Sequence, residues 1–580
     1  MVKYYSFISK HSLYFSLNII LFLPWIPSLL FASSSHYLEI IPFQLDQMHY
    51  LARTVSVWQG KNISSTFLSN PSSKIDGLGS LIDYIFFSIN KVPILNNVNY
   101  RVWIYLVIVF AIFMCTYAIY SFSFFMIKDW RKSALLAACF ICIPDFINTK
   151  ISDFSQPWLI DRWPVPALHY SLIFLYLRYL LDTNNRHRTI FMTLIFSGSF
   201  YTYFYTWQAI TAITLGYCVY SLLKNRNELR KIFSILTMVT ILAIPYFWLL
   251  FNELLMGDDS KSLAFIIGLE HSRLPTINKT TAIIALILIF VLRKIEDPTF
   301  IILVFIIFIA IVVVNNQQLI TGLELQPGHF HWYFAQPFLF YFIIYVFLKW
   351  EENRTNSKSY LMNFLFFTIL SISAYMSIQM MFVQAKQIDR SSIFSQNSEV
   401  NSNLESNVFI PDLNIANQFV LNSNMQIYWH PFANFYPISR QRMIDSILIN
   451  GIWKNYQNTN EDLIGNCKNL DPIEPCWTFL VLAASDVGLS KENWNKLGNS
   501  KILEDSKLKL RNEVFKEVSK IGIPETFQNL LNENEINSII ISGEIDRSQE
   551  FLISSGWKIA KFEKNVADGR AILVTIATRY

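Results

Sequence analysis

In the stretch "IIPFQLDQMHYLARTVSVWQG", residues 40–60, Asp46, His49, Tyr50 and Arg53 recur at i, i+3, i+4 and i+7. A helix would put all four on one face. A carboxylate there can take a proton from an attacking hydroxyl, and a guanidinium can hold a phosphate in a bidentate pair. Leu45, Met48, Leu51, Ala52 and Val55 turn elsewhere, giving an amphipathic helix suited to the membrane interface, the depth of a lipid phosphate. The same spacing also suits a solvated Asp46–Arg53 pair on an interfacial helix.

Two more stretches are dense in reactive side chains. "ISDFSQPWLIDRWPVPALHYS", residues 151–171, holds Asp153, Asp161, Arg162 and His169 among Trp158 and Trp163. Arginine suits a phosphate, and the indoles suit a sugar face or an interfacial anchor, so an aromatic belt with one ion pair reads equally well. "NNQQLITGLELQPGHFHWYFAQP", residues 315–337, sets His329 and His331 just before Trp332 and Tyr333. Those histidines can donate hydrogen bonds to a phosphate or pyrophosphate, or can be structural. An H-x-H pair with no third ligand fixed is a weak metal pattern. Cys467 and Cys476, in "NCKNLDPIEPCW", can form a disulfide if their segment faces an oxidising compartment.

The elements that must position these residues follow from composition. The chain of 580 residues is 53% hydrophobic and only 15% charged, with mean hydropathy +0.33. Average soluble domains are about a quarter charged, so this reads as a polytopic membrane protein. Its net charge of +5 forms no basic stripe, which excludes nucleic acid as the implied partner. Apolar runs near 13–32, 102–125, 133–148, 166–182, 189–206, 207–223, 232–251, 280–292, 298–315, 333–349 and 360–383 predict about eleven transmembrane helices. The first run is longer than a signal-peptide core and reads as a retained anchor.

Basic clusters at 128–132, 184–188, 224–231, 293–294 and 349–358 alternate with segments poor in Lys and Arg. By the positive-inside rule the N-terminus is cytoplasmic. The segments 33–100, 149–165, 252–279 and 316–332 then lie outside, as does the C-terminus. Residues 1–389 form the multi-span part and 390–580 a soluble α/β domain on the outer face. In that domain "SIIIS" and "AILVTIAT" read as strands, and the last two strands join at a turn through Asp568 and Gly569. Four cysteines, Cys115, Cys139, Cys142 and Cys218, fall in apolar runs and read as structural thiols. Usage rich in Ile, Asn, Phe and Lys fits a bacterial plasma membrane.

Many spans, an acidic residue in a helix of the first outer loop and a soluble C-terminal domain outside together resemble the GT-C superfamily of integral-membrane glycosyltransferases. The resemblance rests on "LDQMHYLARTVSVWQG", with Asp46 at the position of that family's loop-one carboxylate. It implies transfer of a sugar from a polyprenyl-phosphate or polyprenyl-diphosphate donor to a glycan, lipid or protein acceptor on the outer face. Asp46 is then the catalytic base. His49, Tyr50, Arg53, Asp153, Asp161, Arg162, His329, His331 and Trp332 are then donor and acceptor contacts. The resemblance requires no cofactor and is compatible with a divalent cation. Where many members carry two adjacent acids this chain has Asp46-Gln47, which argues against direct metal binding at that point. A surface-polysaccharide polymerase or ligase would lean on Arg162, His329 and His331 instead. A transporter would be expected to show a pseudo-repeat, and none is visible.

Overall fold

A computed structural model of the chain describes, with short gaps, residues 12–26, 51–58, 81–151, 165–254, 270–324, 330–352, 364–378, 407–429, 438–455, 476–487, 501–542, 552–565 and 571–579. The described residues are mostly helical. A short helix α1 (Leu81–Asn90) precedes a series of long apolar ones. These are α2 (Tyr100–Ile127), α3 (Trp130–Ile151), α4 (Val165–Leu181), α5 (Arg188–Phe200) and α6 (Phe204–Lys224). They continue with α7 (Arg226–Leu254), α8 (Lys279–Lys294), α9 (Pro298–Asn315) and α10 (Gln336–Glu352). Among the described residues four helical stretches are long and apolar enough to cross a membrane: Val102–Ile127, Arg226–Trp248, Pro298–Thr321 and Tyr333–Trp350.

Local sequence sets several helix boundaries. Asp297 caps α9 by accepting from the Thr299 and Phe300 amides, and Pro298 occupies the first turn, where its missing N–H costs nothing. Asp129 accepts from the Arg131 and Lys132 amides at the start of α3. The expected spans 189–206 and 207–223 meet without a gap, whereas the structure breaks the helix earlier, at Tyr201–Tyr203. Hydropathy could not see that break because the turn is aromatic.

Rings fill the middle of the bundle. Phe122 of α2, Phe140 of α3, Phe174 of α4 and Phe338 of α10 lie 4.7–5.8 Å apart in their contacting pairs. Tyr341 joins them and shares a hydrogen bond with Ser123 at 3.2 Å. Each such ring pair adds about 0.5–1.5 kcal/mol beyond the area it buries. Elsewhere small residues permit closeness: a Cβ on Gly216 of α6 would stand 2.7 Å from the Ile306 carbonyl oxygen of α9. Close backbone approach of this kind is how helices associate where lipid removes the hydrophobic drive. Cys115, Cys139 and Cys142 are buried free thiols and Cys218 a half-buried one.

One terminus of the bundle is tied by Arg188. Its Nε donates to the Tyr179 carbonyl, Nη2 to the Leu180 carbonyl and the Tyr217 hydroxyl, and Nη1 to Glu228. This guanidinium joins the C-terminal ends of α4 and α6 to the N-terminal ends of α5 and α7.

Beyond residue 406 the described segments form a five-stranded mixed sheet. Its strands are β3 (Asn407–Phe409), β4 (Gln426–Ile427), β5 (Ser538–Ser542), β6 (Lys558–Asn565) and β7 (Ala571–Thr578). β3 pairs parallel with β4 and β5, while β7 runs antiparallel to β5 and β6. The strands read from "SIIIS" and "AILVTIAT" are therefore neighbours, and the turn at Asp568 and Gly569 lies outside the described residues. Helices α11 (Arg440–Asn455), α12 (Cys476–Asp486), α13 (Lys501–Ile521) and α14 (Ile523–Glu533) pack against one another between β4 and β5 in the chain.

Candidate functional site at one end of the bundle

The three reactive stretches are described only in part. Asp46, His49, Tyr50, Asp153, Asp161, Arg162, His329 and Cys467 lie outside the described residues. Arg53, His169, His331 and Cys476 lie inside them, and Trp332 is described as part of the backbone of the turn His331–Ala335. Cys476 is disulfide-bonded.

Arg53 is buried, with its Nε 2.6 Å from Asp83 Oδ2, close enough for an ion pair though off the line of a good hydrogen bond. Thr54 donates to the other Asp83 oxygen at 2.8 Å. Nothing in the local sequence distinguishes Asp83, because it sits 30 residues from its partner, in α1. α1 thus carries Asp83 to the first stretch and, one residue on, Tyr84 to Tyr201 (ring centroids 6.4 Å apart).

Tyr201 opens the segment "YTYFYT", residues 201–206, which turns the chain from α5 into α6 at the end opposite Arg188. Tyr203 meets the His169 ring edge-on at 6.3 Å, and Thr206 Oγ1 lies 2.9 Å from His169 Nδ1. His169 is 1% exposed, and its Nε2 has no partner among the described residues. Tyr205 packs on Phe330 at 5.2 Å, just ahead of His331. Described residues of the second and third stretches therefore meet along one short turn, and α1 links the first stretch to it. That turn was not singled out in the sequence, although its alternation of hydroxyl and ring between two apolar runs is a visible signal.

The third stretch is also strapped to the segment before α8. β1 (Glu270–His271) pairs antiparallel with β2 (Leu323–Glu324). Asn316 exchanges hydrogen bonds with the Thr276 backbone at 2.8 and 3.0 Å, and Gln318 Nε2 reaches the Leu274 carbonyl at 2.9 Å. Gly322 ends the short helix Gln318–Thr321 at φ +74°, where a side chain would be strained, and lies beside the Arg273 guanidinium.

His331 begins a π-helical turn, His331–Ala335, that runs into α10. Such turns insert one residue and often mark functional sites. Its Nδ1 lies 3.2 Å from Thr280 Oγ1 at the start of α8. Burial lowers the imidazole pKa, so near pH 7 the ring is neutral and offers one donor and one acceptor. Just beyond Thr280, Ile283, Leu286, Ile287 and Phe290 of α8 face Ile343 and Val346 of α10 across an apolar groove of about 290 Å³.

The chain matches no family model and no curated protein. What the arrangement can do must be argued from the residues. Buried Arg53, His169 and neutral His331 are hydrogen-bond donors suited to oxygen-rich groups, and the tyrosines offer rings and hydroxyls. Among the described residues no group of three His, Cys, Asp or Glu side chains could hold a metal ion.

Proposed function

We propose that the protein is a membrane glycosyltransferase that moves a sugar from a polyprenyl-phosphate-linked donor to an acceptor on the extracytoplasmic face, in cell-envelope glycan synthesis. In this reading the chain crosses the membrane about eleven times and its C-terminal α/β part lies on the same face as the site. The observation that carries it is the meeting of the His169 and His331 neighbourhoods along Tyr201–Thr206, to which α1 links Arg53, at the end of the bundle away from the basic Arg188 end. Basic termini lie inside, so that meeting point lies outside.

The reaction needs a base for the acceptor hydroxyl and a counter-charge for the departing lipid phosphate. Asp46 takes the first role. Arg162 takes the second, with neutral His331 and His329 as hydrogen-bond donors beside it, and a donor chain can leave the headgroup along the groove below Thr280. The π-turn at His331 also gives weight to a second reading, a polysaccharide polymerase or ligase in which the histidines matter and Asp46 does not.

Mass spectrometry of envelope glycans and lipid-linked sugars tests both. Wild type, a deletion strain, and the deletion complemented with Asp46→Ala or His331→Ala are compared. Loss of one sugar with build-up of its lipid-linked donor in all three mutant strains supports the transferase. An Asp46→Ala strain that matches wild type while His331→Ala does not supports the polymerase or ligase. An unchanged glycan and donor profile in the deletion strain sinks both.

A further inference from the structure

The segment "NNQQ", residues 315–318, closes α9 with four carboxamides in a row, which the structure uses unequally. Asn316 Nδ2 donates to the Thr276 and Val312 carbonyls, and its Oδ1 accepts from the Thr276 amide. Gln318 Nε2 donates to the Leu274 and Asn315 carbonyls and to Thr276 Oγ1. Asn315 is 2% exposed, yet neither its Nδ2 nor its Oδ1 has a partner among the described residues. No other described side chain has two buried polar atoms left over.

The helix decides which way this amide faces. Asn315 ends a stripe of α9, formed by Phe300, Val304, Ile307 and Ile311, in which every side chain is buried. Spacings of three and four keep such a stripe on one face. At its start Phe300 stacks on Tyr345 of α10 at 3.8 Å and meets Phe342 edge-on at 5.8 Å. Asn315 is about as far along α9 from Phe300 as His331 is from Tyr345 along α10 and its π-turn, on the order of 20 Å in each case. The stripe therefore carries Asn315 to the level of His331. The chain leading into α8 serves both, since Thr276 is held by Asn316 and Thr280, four residues on, lies 3.2 Å from His331 Nδ1.

An unmatched buried amide costs stability, so one kept inside a fold calls for a missing partner. A phosphate does not supply it, because phosphate oxygens would oppose the Oδ1 lone pairs. Two neighbouring hydroxyls do, one donating to Oδ1 and the next accepting from Nδ2. We propose that Asn315 reads the sugar of the lipid-linked donor, holding two adjacent ring hydroxyls beside His331. This rests on the transferase reading above and adds to it the residue that tells the sugar from its phosphate carrier.

The test complements the deletion strain with wild type, Asn315→Leu or Asn315→Ala and follows three quantities. These are glycan product per molecule of protein, the melting temperature of the full chain in detergent, and the lipids that co-purify with it by native mass spectrometry. Leucine matches asparagine in size and removes the unmatched polar atoms, so Asn315→Leu should melt no lower than wild type, whereas Asn316→Leu, which breaks the strap, should melt lower. Product should fall at least tenfold in both Asn315 variants. The co-purifying ratio of sugar-bearing to bare polyprenyl phosphate should fall with it. Full product from either variant overturns the proposal and leaves the transferase reading standing, with a bound water only at Asn315. If Asn315→Leu does not fold, Asn315→Ala decides by the same product and lipid readings. An unchanged glycan and donor profile in the deletion strain removes the transferase reading and the proposal together.

Discussion

Arg188 and Glu228 are joined at 2.5 Å across the termini of two helices, and the same guanidinium binds the Tyr179 and Leu180 carbonyls. Both side chains are almost fully buried, so removing one strands the other. Glu228→Ala should cost on the order of 3 kcal/mol and lower the melting temperature in detergent. Product formed per folded molecule should not change, since this clamp is at the far end of the bundle from the candidate site.

At Gly216 the obstacle is backbone. The Ile306 carbonyl cannot swing away as a flexible side chain would, so Gly216→Ala should separate α6 from α9 and cost about 1–3 kcal/mol. Gly198, with open space around it, is the control, and thermal melts of the two alanine variants compare them directly.

Asp83→Ala leaves Arg53 charged and buried, at a cost of about 3–5 kcal/mol. An apolar exchange of both partners, Arg53→Met with Asp83→Leu, should recover most of that stability. Glycan analysis of the double variant then reads Arg53 alone: a stable protein without product makes Arg53 a donor contact, and full product makes the pair structural.

His331→Ala should cut product formation by about 10²–10³-fold, the usual effect of losing one donor to a developing anion. Thr280→Val, which removes only the partner at 3.2 Å, should have a smaller effect. Because burial lowers the His331 pKa, its contribution to stability is full above the unfolded value and is lost as pH falls through the depressed folded one. Wild type should therefore lose more stability than His331→Ala on acidification below about pH 6.5.

Asp445 behaves in the opposite sense. Burial raises its carboxyl pKa, while hydrogen bonds from Gln441 and Asn534 and the charge of Arg442 pull it down. Its contribution is full below the unfolded pKa and is lost as pH rises through the folded one. Asp445→Asn should stabilise the protein at pH 7, and the gain should disappear by pH 4, as measured by melts across that range.

Helices α2 to α10 were legible as apolar runs, and four stretches among them are long and apolar enough to cross a membrane. Gly216 was not legible, since its importance lies in where α9 runs. Nor was the 201–206 turn, because hydropathy scores tyrosine as span. His331 was singled out from residue type and spacing, whereas Asp83 and Thr280 were not. Each owes its place to a partner far along the chain, 30 residues away for Asp83 and 51 for Thr280. The backbone ladder of Glu270 with Glu324 runs beside the Asn316 and Gln318 strap, whose partners lie 40 and 44 residues away.

The π-turn at His331–Ala335 works as a phase adapter. An α-helix advances each side chain by a fixed angle, so His331 cannot face Thr280 while Phe338 and Tyr341 face the ring cluster unless one residue is absorbed between them. Because the wide turn has already absorbed one residue, deleting a single residue within it would restore regular helix with both sets of partners in phase, whereas inserting one more would rotate all of α10 by about a quarter turn. Either the histidine or the ring cluster would then lose its partners. The head of the site and the body of the bundle are thereby free to change sequence separately, provided the length between them is kept.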